Sequence, residues 1–96
     1  MIYTITAMYR SMEDRREETR CFGYYVDLAD AISAVERNQC DMHECLYNFI
    51  VIEKIGEGIH AMATDIKWYM WNDVKYSWEY TPKPDWSIGI CNYSIG

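Results

Sequence analysis

Proline occurs only twice and glycine five times in the 96 residues, so the chain has no room for a flexible linker or a low-complexity segment. It has no unbroken run of about 18 apolar residues, which excludes a membrane-spanning helix. Cations are scarce: nine Lys and Arg stand against fifteen Asp and Glu, for a formal net charge of −6. Direct binding to nucleic-acid phosphates needs a basic face, so nucleic acid is not expected as a direct partner. The acidity serves solubility, or docking on a basic protein surface, including one that normally holds nucleic acid. No glycine-rich phosphate loop is present, and no cofactor is expected. The N-terminus shows no basic stretch followed by an apolar one, so no signal peptide is expected. A cytoplasmic location follows as an expectation, with Cys21, Cys40, Cys45 and Cys91 as free thiols.

What is present is half apolar residues and 25 % charged ones, enough to build the core of one domain spanning residues 1–96. Residues 2–10 alternate, with Tyr3, Ile5, Ala7 and Tyr9 on one face and Thr4, Thr6 and Arg10 on the other. Residues 11–19 are almost wholly polar and read as an exposed loop, with a second strand from Cys21 to Val26. Asp27 stands where a helix cap belongs, before an apolar stripe of Leu28, Ala31, Ile32 and Val35, and Asn38 suits a left-handed exit. Residues 39–46 read as an irregular crossing. Asn48 to Ile55 reads as a central strand, Gly56-Glu57-Gly58 as a turn, and Ile59 to Trp71 as one long strand or two short ones. Asn72-Asp73 reverses the chain into residues 74–80, and Pro82 and Pro84 end the sheet. The fold class is α+β: an antiparallel sheet of about five strands with one helix on one face, in the order β-β-α-β-β-β. One helix of this length cannot cover five strands, so a homo-oligomer is expected, with the apolar tail from Asp85 packed back on the domain or on a second copy.

Residues 68–80 hold three of the four tryptophans and three of the nine tyrosines. Such a surplus of rings predicts that some lie on a surface. Trp68, Trp71 and Trp78 are then candidates for stacking on a base or for anchoring a protein interface. The plainer alternative puts Trp68 and Met70 in the core while Tyr69 and Trp71 shield an edge. Under the surface reading, replacing Trp71 or Trp78 by Ala weakens a ligand and leaves the fold intact.

Cys40-Asp41-Met42-His43-Glu44-Cys45 is the one constellation with metal-ligand types, and Cys91 could supply a fourth ligand. Structural zinc sites show two separated ligand pairs, and here the second is missing. The favoured reading makes Cys40 and Cys45 small buried hydrophobes beside a turn, with His43 and Glu44 bonding to backbone or forming polar contacts in a ligand pocket. A Cys–His nucleophile lacks an orienting third group. His60 lies in a strand and could face a pocket. The carboxylates Glu13, Asp14, Glu17 and Glu18, mixed with Arg15, Arg16 and Arg20, read as a solvated charge surface. Enzyme activity therefore ranks behind binding.

Phe22-Gly23-Tyr24-Tyr25, Cys40-Asp41-Met42-His43-Glu44, Tyr47-Asn48-Phe49, Ile52-Glu53-Lys54-Ile55-Gly56-Glu57-Gly58-Ile59, Lys67-Trp68-Tyr69-Met70-Trp71 and Ile90-Cys91-Asn92-Tyr93-Ser94-Ile95-Gly96 together resemble a family of small uncharacterised proteins of bacteriophages and mobile elements in Clostridia-like bacteria. The resemblance spans nearly the whole chain and brings no activity with it. It implies a counter-defence setting. Two binding functions fit that setting. One is a sponge for a nucleotide immune signal, with Arg15, Arg16 and Arg20 on phosphate and His43, Glu44, Trp68, Trp71 and Trp78 around the ligand. The other is an acidic inhibitor that docks on a bacterial defence protein.

Overall fold

A computed structural model describes residues 1–11, 17–59, 62–87 and 93. Its elements are β1 (Ile2–Arg10), β2 (Glu17–Tyr25), α1 (Leu28–Glu36), β3 (Phe49–Ile55), β4 (Ala63–Asn72) and β5 (Ser77–Thr81). The strands form one antiparallel sheet in the order β2-β1-β3-β4-β5, with α1 packed on it. This is the α+β architecture that the alternation and the single apolar stripe predict.

Local chemistry accounts for the boundaries. The Asp27 carboxylate accepts the Ala29 amide hydrogen at 2.9 Å and caps α1. Asn38 leaves the helix in the left-handed region (φ 47°, ψ 50°), which an asparagine bears better than most residues. β3 is the middle strand and is buried on both faces from Ile50 to Glu53. Asn48, just before it, ties three strands together. Its side chain exchanges two 3.0 Å hydrogen bonds with the Arg10 backbone, and its carbonyl accepts the Trp71 amide.

β2 starts at Glu17, four residues earlier than the hydrophobic pattern suggests, and Glu17 to Arg20 pair with Arg10 to Ala7. An outermost strand keeps one edge and much of its surface in water, so charged side chains do not prevent pairing there. A bulge interrupts the ladder, because Ile5 faces Gly23 while Thr6 faces Cys21 and Phe22 is the extra residue. Gly23 has φ 147°, a value that L side chains rarely adopt.

The core has two parts, one on each face of the sheet. Under α1 lie Ile5, Ala7, Ile50, Ile52, Tyr69, Trp71 and Trp78 with Ala31, Ala34 and Val35 of the helix. On the opposite face Met8, Val51 and Trp68 pack with Phe49, Trp86 and Tyr93. The alternation along β4 is the expected one, but the helix covers the face of Tyr69 and Trp71, not that of Trp68. Trp68 is buried instead by edge-to-face contacts with Trp86 and Tyr93, centroids 5.7 and 5.5 Å away. Both belong to the apolar tail, of which residues 85–87 and 93 are described, and both lie on the domain itself. The Tyr93 amide donates to both oxygens of the fully buried Glu53 carboxylate, at 3.0 and 3.1 Å. Among the described residues no helix is long and apolar enough to cross a membrane.

Candidate functional site

The segment between α1 and β3 organises everything around it. Asn38, Cys40, Asp41, Glu44 and Cys45 all take positive φ, between 47° and 57°. Such backbone costs on the order of 1–3 kcal/mol per residue and persists only where surrounding contacts hold it. Here Asn38 supplies much of the hold. Its Oδ1 accepts from the His43 amide at 3.1 Å and from the Trp78 indole Nε1 at 3.0 Å, while its Nδ2 donates to Asp41. The His43 ring stacks on Trp71, and its Nδ1–H donates to the Tyr47 carbonyl at 2.8 Å. That bond leaves Nε2 as the acceptor in the neutral ring. Tyr76, itself at φ 55°, closes the other side of His43 with an edge-to-face contact at 6.1 Å. The adjacent Cys45, then desolvation and Asp41, hold the Tyr76 hydroxyl above its ordinary pKa.

The same segment also forms a wall of a half-open groove of about 260 Å³. Phe22, Gly23, Tyr24 and Tyr25 of β2 line it, together with Ile5 of β1, Ala34 of α1, and Gln39, Cys40 and Met42. The bulge at Phe22 and the left-handed turn at Cys40 thus flank one opening. The Tyr25 hydroxyl donates to Gln39 Oε1 at 3.1 Å, and Arg37 Nη2 donates to the same oxygen at 3.2 Å. Gln39 therefore presents its amide nitrogen as a donor at an otherwise largely apolar site. Beside the groove, Arg20 lies over the Phe22 ring at 4.8 Å and pairs with Glu44 at 3.1 Å.

The sequence-predicted site residues divide between these places. Arg20 and Glu44 meet each other at the groove's rim, so Glu44 pairs with a side chain and not with backbone. His43 bonds to backbone, as expected, from inside an aromatic cluster. Trp68, Trp71 and Trp78 are only 2, 8 and 5 % exposed, so none is an open stacking platform; the tryptophans are divided between two cores, and the exposed rings of residues 68–80 are Tyr76 and Tyr80. Cys40 and Cys45 are exposed and not buried, because the left-handed turns that carry them throw their side chains outward. Among the described residues no group of three or more His, Cys, Asp or Glu side chains converges as a metal site. Arg15, Arg16, His60 and Cys91 lie outside the described residues, as do Glu13 and Asp14.

The groove residues Phe22, Tyr25, Gln39 and Met42 were not candidates on sequence grounds. One signal was legible: a glycine set among aromatics in a strand, Phe22-Gly23-Tyr24-Tyr25, marks a bulge or a close approach. No family model, curated protein or solved structure matches the chain.

Proposed function

We propose that the protein is a non-enzymatic binding module whose ligand places one planar ring in the groove between β2 and the 38–42 turn. The observation that carries this reading is the groove itself: aromatic and apolar walls with the Gln39 amide as a fixed polar group. Ligand sites combine an apolar lining with a few oriented polar groups, and those for drug-sized molecules run from roughly 300 to 1,000 Å³. At about 260 Å³ this groove falls just short of that range and suits a single base or nucleoside. The resemblance to small phage proteins supports the finer form of the proposal, sequestration of a nucleotide immune signal. In that form one chain grips one base of the signal, and a larger signal needs more than one chain. Host cytoplasm is the matching location.

A second reading, docking on a defence protein, draws on exposed apolar residues of the β4–β5 hairpin. Met70, Val74, Tyr76 and Tyr80 all reach solvent there. The two tyrosines are of the type that anchors protein interfaces.

Titration of the four ribonucleosides into isotopically labelled protein tests the first reading. Amide shifts should concentrate on residues 22–25 and 39–42, and Phe22→Leu should weaken binding by about 1–3 kcal/mol through lost stacking. Shifts confined to the β4–β5 hairpin, or none, would move the function away from the groove.

A further inference from the structure

We infer that a second copy of this chain pairs antiparallel along β2, and that its Arg20 completes the groove as the contact for a ligand phosphate. The inference rests on the groove reading and adds to it the partner and the ligand class, a nucleoside monophosphate.

The two edges of the sheet are unlike. β5 is five residues long and is followed by Pro82 and Pro84. Short length and flanking proline, which β2 lacks, are devices that blunt an edge. β2 is nine residues long, contains no proline, and among the described residues has no strand on its outer side. Its backbone groups are a ready template for another strand.

A two-fold axis through Cys21, the middle residue of β2, sets the two strands side by side over their length, with the Phe22 bulge as the one irregular step. In that register Thr19 faces Gly23, Arg20 faces Phe22, and Glu18 faces Tyr24. No like charges oppose one another, which is what a stable antiparallel pair requires. The axis stands perpendicular to the sheet, so both helices end on the same side of the joined sheet. Arg20 lies on the helix side, since it faces Ala7 of the core. The Arg20 of the second copy therefore arrives opposite Phe22, on the face that the groove opens from. Within its own chain Arg20 already lies over a Phe22 ring, so the pairing offers the same cation–ring contact across the axis. Its bond to Glu44 joins two largely solvated side chains and is weak enough to be shared with a ligand. A guanidinium donates paired hydrogen bonds to phosphate, which a chain of net charge −6 must provide locally.

The test uses sedimentation velocity, thiol cross-linking and calorimetry on the full chain. The wild type should sediment as a dimer. A variant that keeps only Cys21 (C40S, C45S, C91S) should cross-link through it when diamide accepts the two hydrogens of the thiols, because opposed residues bring their Cα atoms within disulfide range. C21K sets two ammonium groups face to face and should be monomeric with an unchanged circular-dichroism spectrum. Each nucleoside 5′-monophosphate should bind the wild type roughly tenfold or more tighter than its nucleoside, the scale of one charge-assisted contact. R20A and C21K should both lose that preference and keep the nucleoside affinity. A wild-type monomer, a dimer without Cys21 cross-linking, or a C21K monomer that keeps the phosphate preference overturns the inference. In the last case Arg20 acts within its own chain, and the groove reading stands. Absence of any nucleoside binding sinks the groove reading and the ligand part of this inference together, and the cross-linking result then stands or falls by itself.

Discussion

His43 stacks face to face on Trp71, with ring centroids 3.8 Å apart and planes 12° from parallel. The contact joins the segment after α1 to the C-terminal end of β4, two regions that are far apart in sequence. Trp78 and Tyr76 close on Trp71 edge to face, at 5.1 and 4.9 Å. The β4–β5 hairpin and the strained turn are thereby one packing unit, and the wall of the groove depends on it.

Removing the central ring should therefore cost stability before it costs any ligand. Trp71→Ala is expected to destabilise by about 3–5 kcal/mol, the range for deleting a large buried aromatic. Urea unfolding followed by far-UV circular dichroism measures this. A loss below about 1 kcal/mol, with the groove's amide signals unmoved, would show that the cluster does not support the turn.

Asn38 offers a finer probe of the same unit. Its backbone needs the left-handed region, and its side chain holds both His43 and Trp78. Asn38→Gly keeps the backbone freedom and loses the three side-chain bonds, whereas Asn38→Ala loses both. Each should destabilise, Gly by about 1–3 kcal/mol for the orphaned groups and Ala by about a further 1 kcal/mol. Equal losses in the two variants would remove the conformational part of the argument.

Much of this fold was legible residue by residue. Asp27 announced the start of the helix, Asn38 its end, and the run Ile50-Val51-Ile52 a strand buried on both sides. Two things were not legible, for physical reasons. Alternation says that Trp68 and Tyr69 face opposite ways but not which side the helix takes, because both are apolar enough for a core. The expectation of exposed rings holds for Tyr76 and Tyr80 but fails for the three tryptophans, because it assumed one core. Trp86 and Tyr93 build a second one, and a contact across the whole sheet leaves no periodic trace in sequence. The groove was hidden likewise, since Phe22 and Gln39 become neighbours only when the turn takes its left-handed course.

The Arg20–Glu44 pair should matter little to stability. Both side chains are substantially solvated, and exposed ion pairs contribute about 0–1 kcal/mol. Glu44→Gln should leave the unfolding midpoint nearly unchanged. If Arg20 serves phosphate, the same variant should tighten monophosphate binding by releasing the guanidinium. A large stability loss would instead show that Glu44 holds the turn in place.

Tyr69 is expected to set the alkaline limit of the fold. Its hydroxyl is buried under α1 without a hydrogen-bond partner among the described residues, and burial, with Glu36 adding to it, pushes its pKa up to about 12. The folded state thus favours the protonated phenol more than the unfolded chain does, where a tyrosine ionises near 10. The stabilising contribution is complete below pH 10 and is lost as pH rises from 10 through 12. Absorbance titration of the phenolates should show Tyr69 ionising late, beside Tyr76 whose pKa is also raised, with the Tyr69 step alone coinciding with the loss of circular dichroism. Tyr69→Phe removes the hydroxyl and keeps the ring, so it should abolish the late step and extend the folded range upward. It should also raise stability at neutral pH slightly, since an unbonded buried hydroxyl costs about 1–3 kcal/mol where no water serves it. A Tyr69→Phe variant with the wild-type alkaline transition would assign that limit to another group.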